Sequence, residues 1–119
     1  MVKGNNLQTK SYEIAVKVTG LYRQLPKEQQ AFLPFRQLLK STLSVGAKLQ
    51  SVSVNDSRSD LLTQLHSSQK ELKEAQYLLR LLKDTDCLDS EVFKCLLVAC
   101  QELSEALSIV ARKIKRFPF

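Results

Sequence analysis

Glycine, proline and tryptophan are scarce in this sequence. Its 119 residues include three glycines, three prolines and no tryptophan. A loop that cradles phosphate groups needs several glycines close together, so a nucleotide site of that kind is disfavoured. A β-sheet needs frequent turns, and no alternating apolar and polar segment is bounded by turn residues. The sequence therefore predicts an all-α fold, in which the few proline and glycine residues mark helix ends or bends.

Histidine and cysteine are also sparse. His66 is the only histidine, and Cys87, Cys95 and Cys100 do not follow a metal-binding spacing. No serine or cysteine is matched with a base and an acid, and no Glu-x-x-His unit accompanies the carboxylates. We therefore expect no enzymatic activity, no metal and no cofactor. We interpret the cysteines as small buried apolar residues.

Long hydrophobic runs are absent as well. No apolar run approaches the roughly 20 residues that span a bilayer, and the N-terminal residues do not have the pattern of a secretion signal. We therefore expect a cytoplasmic protein without membrane contact. Apolar residues make up 44% and charged residues 25% of the chain, which predicts one globular domain over residues 1–119.

Apolar residues at helical spacing are what the sequence does contain. They predict four helices, at about residues 10–24, 27–52, 59–84 and 90–116. Pro34 lies inside the second, where we expect a kink or a fresh start near Leu33. Asp89 is a suitable N-cap for the fourth helix. Since the connections between the helices are short, we predict an antiparallel up-down-up-down four-helix bundle.

Small residues interrupt the second predicted helix. The segment LLKSTLSVGAKLQSV places Ser41, Ser44, Gly46 and Ala47 where larger packing residues are usual. A glycine inside a helix costs up to about 1 kcal/mol relative to alanine, so a packing or bending reason is expected. We predict that a neighbouring helix approaches closely at this point.

Apolar residues cover more than one side of the last two predicted helices. Five of the six residues in YLLRLL and all six in CLLVAC are apolar. A helix in a bundle buries only one arc of its circumference, so part of this apolar surface would stay exposed in a single bundle. We therefore predict a homo-oligomer, because a second copy is the simplest partner for such a surface. A monomer that buries its fourth helix unusually deeply is the alternative. The predicted interface residues are Tyr77, Leu78, Leu81, Leu97 and Val98.

Positive charge is unevenly distributed along the chain. The net charge is +6, and residues 1–58, with nine basic and three acidic residues, account for all of it. Such asymmetry favours a polyanionic partner such as RNA, bound mainly through phosphate with steep salt dependence. The alternatives are a scaffold that recruits an acidic protein, or a charge that only maintains solubility. The candidate nucleic-acid-binding residues are Lys10, Lys17, Arg23, Arg36, Lys40, Lys48, Arg112, Lys113, Lys115 and Arg116.

Three segments of this sequence resemble a known family. LPKEQQAFLPFRQLLKSTLSVGAKL, KELKEAQYLLRLLKD and ELSEALSIVARKIK are similar, in order and spacing, to the four-helix bundle proteins encoded in 23S ribosomal RNA intervening sequences. The matching positions are Pro26, Glu28, Gln37, Ser41, Ser44, Val45, Gly46, Ala47, Lys70, Glu71, Leu72, Glu74, Tyr77, Leu79, Leu81, Leu82, Cys100, Glu102 and Leu103. Two positions depart from the family pattern. Lys48 occupies the position of an asparagine in the family, and Ser51 occupies the position of a glutamate.

This resemblance implies a bundle that assembles as a ring, typically a homopentamer, with no known catalytic activity. It also implies a relation to accessory proteins of diversity-generating retroelements, which form basic pentamers that bind RNA and a reverse transcriptase. The expected partners are therefore further copies of this chain and RNA or a nucleic-acid-processing protein. The two departures put in doubt any function that depends on the family's asparagine and glutamate.

Overall fold

Five helices make up the fold. The computed structural model describes residues 2–53 and 55–116, with side chains from Leu7 onward, and within these ranges there is no strand. The all-α class is therefore confirmed for the described part of the chain. The helices are α1 (Val2–Gln24), α2 (Lys27–Gln30), α3 (Leu33–Ser51), α4 (Arg58–Asp84) and α5 (Ser90–Arg116). Residue 1 and residues 117–119 of the predicted domain lie outside the described residues.

The second predicted helix is two helices. Phe32 is the N-cap of α3 and has an extended backbone, and Pro34 occupies the first turn. Proline has no N–H and its ring clashes with the preceding turn, so it is tolerated at a helix start but not inside one. Of the two alternatives expected at Pro34, a kink within one helix over 27–52 is therefore wrong, and a fresh start near Leu33 is confirmed.

The first helix is longer than predicted. It begins at Val2, about two turns before the expected start near Lys10. Leu7 and Ser11 are buried on the same side as Ile14 and Val18, because these residues follow one another at intervals of three and four. A polar segment with one buried leucine has too weak a periodicity to reveal a helix from sequence alone.

Each of the four long helices packs against two others. α1 contacts α3 and α5, and α4 contacts the same two helices. The contacts pair the early part of one helix with the late part of its neighbour. The pairs that show this are Gln8 with Leu49, Ser41 with Glu74, Lys48 with Ser67, Arg58 with Ile114, Gln69 with Ser108, Lys10 with Glu102, and Lys17 with Cys95.

Leucine fills most of the space between the long helices. Leu49, Leu72, Leu79 and Leu103 are completely buried in one continuous apolar core. Ser68 lies within this core, and its hydroxyl has no hydrogen-bond partner among the described residues. The core runs along the long axis of a molecule of 50 × 21 × 20 Å, and the helices present their outer sides to the solvent.

Local signals set the turn between α4 and α5. The Asp89 carboxylate accepts hydrogen bonds from the backbone N–H groups of Glu91 and Val92, as predicted for an N-cap. Asp86 has a positive φ of 60°, and the N–H of Cys87 donates to the Leu82 carbonyl. This arrangement is a Schellman ending, and it brings α5 back against α4.

Gly46 lies where α1 crosses α3 closely. A Cβ atom built at Gly46 would stand 3.7 Å from the Ser11 carbonyl oxygen, which is ordinary van der Waals contact. Gly46→Ala is therefore expected to raise the free energy of unfolding by up to about 1 kcal/mol, because alanine has the higher helix propensity. Gly46→Leu overpacks the site and is expected to lower it by about 1–3 kcal/mol. Chemical denaturation measures both changes.

Gly20→Ala is the control for this prediction. A Cβ at Gly20 has nothing within 4 Å, so only helix propensity changes there. If Gly46→Ala destabilised the protein while Gly20→Ala stabilised it, the helices would have to be closer at Gly46 than the structure places them.

Candidate interaction surfaces

A network of polar side chains joins α3 and α4. Lys48 Nζ lies 2.8 Å from Glu71 Oε1 and 2.6 Å from Ser67 Oγ. The Ser44 hydroxyl donates to the same Glu71 oxygen at 3.0 Å. One turn further along, the Ser41 hydroxyl donates to Glu74 Oε1 at 3.3 Å. We call these six residues the α3–α4 polar network.

This network corrects two interpretations of the sequence. Ser41 and Ser44 do allow close packing, but they also donate hydrogen bonds to carboxylates. Glu71, which accepts one of these bonds, is three-quarters buried. Lys48, predicted as a nucleic-acid contact, is instead paired with Glu71 inside the subunit. Sequence spacing could not identify this pair, because its members lie on different helices.

The predicted basic residues of α1 and α3 are spread over the outer surface. Lys10 Nζ lies 3.9 Å from Glu102 Oε1 of α5, and Lys17 Nζ lies 3.7 Å from Cys95 Sγ. Arg23 is exposed near the end of α1. Arg36 and Lys40 are brought together at a groove of about 410 Å³, which is also lined by Tyr22, Leu33, Gln37, Leu39 and Leu43.

The basic residues at the end of α5 form a compact surface. Arg112, Lys115 and Arg116 are exposed and line one shallow groove of about 450 Å³. Lys113 lies in the same turn and is exposed as well. Arg58 of α4 supports this turn, because its Nε donates to the Ile114 carbonyl at 3.0 Å and its Nη2 donates to the Lys115 carbonyl at 2.9 Å.

Arg58 is a residue that sequence reasoning missed. Its guanidinium caps carbonyls at the C-terminal end of α5, where the helix dipole favours a cation. The two planar donors hold the backbone of the last turn in place, so the basic side chains of that turn project from an ordered support. We call Arg58, Arg112, Lys115 and Arg116 the C-terminal basic cluster.

The outward side of α4 carries a second basic surface that the sequence did not reveal. Lys70, Lys73, Tyr77 and Arg80 are exposed and follow one another at intervals of three and four, so they form a single stripe. Among the described residues, none lies within hydrogen-bond or ion-pair distance of the three cationic side chains. Lys70 and Glu74 lie one helical turn apart and form no ion pair. We call these four residues the α4 basic stripe.

The residues predicted for a subunit interface are not all on the surface. Leu78 is only 7% exposed and belongs to the core of its own subunit, so the prediction is wrong for this residue. Leu81 and Leu97 are half-buried. Tyr77 and Val98 are exposed, at 56% and 49%. Two of the five residues thus offer a largely exposed apolar or aromatic surface to a second chain.

Other apolar side chains are exposed where the sequence did not place them. Tyr12 and Val16 of α1 are 64% and 52% exposed and lie one helical turn apart. Among the described residues, the remaining large ones outside α4 and Val98 are Phe32, Leu33, Leu43 and Ile109. Their periodicity within each helix is unremarkable, so only the packing of the helices reveals them.

The three cysteines have different surroundings. Cys100 is buried, Cys87 is half-buried and Cys95 is exposed. The interpretation of all three as buried apolar residues is therefore wrong for Cys95. Burial raises the pKa of the Cys100 thiol from 9.0 to about 11, because the thiolate would lose its hydration in the core.

Cys100 is expected to make stability fall in alkaline solution. The unfolded chain releases the thiol proton near its ordinary pKa, whereas the native chain retains it up to about pH 11. Since the native state then binds more protons, the free energy of unfolding decreases as the pH rises through this window, by about 1–3 kcal/mol. Urea denaturation between about pH 8 and pH 11 measures the change. Cys100→Ala should lack this part of the decrease, and equal slopes for both proteins would contradict the assignment.

Two absences among the described residues bear on function. No group of three or more histidine, cysteine or acidic side chains in this part of the chain is placed to hold a metal ion. None of the helices, within the described ranges, is long and apolar enough to cross a membrane.

The fold and its surfaces define a small, all-helical protein whose outside carries separate basic surfaces. The family model described as 23S rRNA-intervening sequence protein matches residues 3–109. The chain therefore belongs to this family, as the resemblance of its segments led us to expect.

A solved structure is similar to nearly the whole chain. It is the crystal structure of a protein of unknown function from the S23 ribosomal protein family of Bacteroides thetaiotaomicron VPI-5482. The sequences are 31% identical, the match covers 92% of this chain and 98% of the other, and the TM-score is 0.85. A comparison with curated proteins finds no match.

Proposed function

We propose that this protein is a non-enzymatic, homo-oligomeric helical bundle that binds RNA through exposed basic residues. The proposal includes an up-down-up-down antiparallel arrangement of the four long helices. The observation that carries it is the C-terminal basic cluster, in which Arg58 supports a turn that projects Arg112, Lys115 and Arg116. Cations that project from a fixed backbone suit phosphate contacts, which fix position without reading sequence.

The membership of the family supports this proposal only in part, since the similar structure is that of a protein of unknown function. The net charge of +6 adds support, because it favours association with polyanions. The location of the charge is more informative than its size. Lys48, which the sequence suggested as a contact, is paired internally, whereas the cluster on α5 remains exposed.

Labelled RNA titrated with the protein at low and high salt tests the binding. We expect a salt-sensitive complex, and Arg112→Gln/Arg116→Gln should weaken it about tenfold or more and reduce the slope of log affinity against log salt by about 1.4. The control is Lys27→Gln/Lys94→Gln, which removes the same charge from exposed residues at the opposite end of α5 and on α2. A complete lack of binding at low salt would contradict the proposal and would favour a scaffold for an acidic protein.

The exposed apolar surface of α1 supports the proposal of an oligomer. Tyr12 and Val16 lie on one side of α1, and Glu13 is the one charged residue at an interval of three or four from either of them. They suit a subunit contact better than Tyr77, whose helical neighbours Lys73 and Arg80 are charged, because charged residues are depleted from interface centres. We propose five copies, on the basis of the resemblance described above.

Light scattering tests the assembly. The expected molar mass is several times 13.5 kDa, and Val16→Glu should reduce it. Thr63→Glu introduces the same charge at an exposed residue of α4 and should leave the mass unchanged. A mass close to one chain for the unmodified protein would contradict the proposed oligomer.

A further inference from the structure

We infer that the α4 basic stripe is a binding track for single-stranded RNA, with Tyr77 as the residue on which a base stacks. This inference rests on the proposed function and adds a second site, of different specificity, to the C-terminal basic cluster. It depends on three observations: the direction in which the charges of α4 point, their spacing along the helix, and the position of Tyr77 among them.

The charges of α4 are separated between its two sides. Glu71 and Glu74 point toward α3, where they accept hydrogen bonds from Lys48, Ser44 and Ser41. The three cations of the stripe point away from the molecule and have no ion-pair partner among the described residues. Between residues 70 and 80 the three basic residues outnumber the two acidic ones by only one, so the net charge understates the positive charge on the outward side of the helix.

The spacing of the stripe suits a short nucleic-acid strand. A helix rises about 1.5 Å per residue, so Lys70 and Lys73 stand about 4.5 Å apart along the axis, and Arg80 lies about 10 Å beyond Lys73. Tyr77 occupies the gap between Lys73 and Arg80. A strand that follows the helix would meet cations at both ends of the stripe and an aromatic ring between them.

Tyr77 is the residue that favours binding of a single strand over binding of a duplex. Its side chain is 56% exposed, although the other large apolar side chains of this part of α4 are buried or half-buried. Bases of a single strand stack on exposed aromatic rings, whereas the bases of a duplex are already stacked on one another. A track of cations that includes one such ring is therefore expected to prefer unpaired RNA.

The same neighbours argue against Tyr77 as a contact between subunits. Two copies that met through this stripe in a symmetric pair would bring six cations together. Like charges in such positions cost energy, and the exposed acid closest to Tyr77 along the helix, Glu74, accepts a hydrogen bond from Ser41 of α3. Negative phosphates complement this surface, and a second copy of it does not.

A polar groove next to the stripe extends the surface that a strand would contact. It has a volume of about 420 Å³ and is lined by His66, Gln69, Lys70, Lys73, Ser104 and Ser108. Gln69 Nε2 donates to Ser108 Oγ at 2.8 Å, which joins α4 to α5 under the groove. Hydroxyl and amide groups of this kind can bond to phosphate and to the sugar hydroxyls of RNA.

Fluorescence anisotropy with labelled RNA of about 12 nucleotides, single-stranded or annealed to its complement, tests this inference on the whole chain. Tyr77→Ala is expected to weaken single-strand binding about fivefold to a hundredfold without changing the salt slope, because stacking does not release counterions. Tyr77→Phe keeps the ring and should retain the affinity. Duplex binding should not respond to either variant.

The charges of the stripe are tested separately. Lys70→Gln/Lys73→Gln/Arg80→Gln should reduce the salt slope for the single strand by about 2, since three phosphate contacts are lost. Circular dichroism and chemical denaturation check that the variants fold, and no loss of folding is expected because all four side chains are exposed.

The outcomes separate the inference from the proposed function. If neither stripe variant weakened single-strand binding while Arg112→Gln/Arg116→Gln did, the track on α4 would be wrong and the proposed RNA binding would stand. If the unmodified protein bound no RNA at low salt, both would be wrong. If polyglutamate competed as well as RNA and Tyr77→Ala had no effect, the stripe would be a general anion surface and the inference would be overturned.

Discussion

Leu78→Ala and Leu79→Ala are each expected to lower the free energy of unfolding by about 2–5 kcal/mol. Both side chains are buried inside one subunit, and Leu79 is completely enclosed by the core. Truncation removes the transfer free energy of the lost methyl groups and leaves a cavity that the packed helices fill only partly. Urea denaturation, followed by circular dichroism, measures the loss.

Leu81→Ala is the matched control, because it makes the same chemical change two or three residues further along α4. Leu81 is half-buried, so the expected loss is smaller, at about 1 kcal/mol. None of the three variants is expected to change the molar mass measured by light scattering. If Leu78→Ala reduced the molar mass while subunit stability was retained, Leu78 would be an interface residue, as the sequence suggested, and its burial in the subunit would be wrong.

Glu71→Ala is expected to lower the free energy of unfolding by about 2–3 kcal/mol. Its carboxylate accepts hydrogen bonds from Lys48 and Ser44, and both Glu71 and Lys48 are about three-quarters buried. Removal of the carboxylate leaves a largely buried ammonium group without its counter-charge. An exposed surface pair would contribute much less, because water screens it and its side chains lose entropy when they pair.

A double variant separates the loss of the whole pair from the loss of one partner. Lys48→Met/Glu71→Leu replaces both partners by apolar residues of similar size, so it should cost less than Glu71→Ala alone. The exposed Glu105 provides the control, and Glu105→Ala should change stability by no more than about 0.5 kcal/mol. Equal effects of Glu71→Ala and Glu105→Ala would mean that the α3–α4 polar network does not stabilise the fold.

Two helices could be predicted almost to the residue. The expected ranges of 59–84 and 90–116 compare with Arg58–Asp84 and Ser90–Arg116. Both helices have a long, regular apolar periodicity, and both begin after a capping residue, Ser57 or Asp89, which accepts hydrogen bonds from the first turn. Such signals are local, so they can be read without knowledge of the neighbouring helices.

The other helix bounds depended on weaker or competing signals. The start of α1 was missed because one buried leucine in a polar segment does not define a periodicity. The division between α2 and α3 was foreseen only as an alternative, since a proline inside a helical pattern either bends the helix or starts a new one. The extended conformation of Phe32 decides between the two.

The surfaces were less predictable than the helices. The sequence identified the basic residues at the end of α5, but it could not reveal the support that Arg58 provides from α4. It proposed Lys48 as a nucleic-acid contact because that residue belongs to the excess of basic residues in the first half of the chain. It overlooked Lys70, Lys73 and Arg80 because acidic residues alternate with them along the chain.

The amino-acid sequence by itself determined that this protein is helical, that it carries a net positive charge, and which family it resembles. These properties follow from composition, from local periodicity and from motifs within single segments. Only the tertiary structure decided which charges are paired, which apolar residues remain exposed, and that Leu78 lies inside the subunit while Tyr77 lies outside. The reason is physical: the burial and pairing of a side chain depend on the neighbouring helix, whose contacting residues are distant in the chain, and the spacing within one helix carries no information about them.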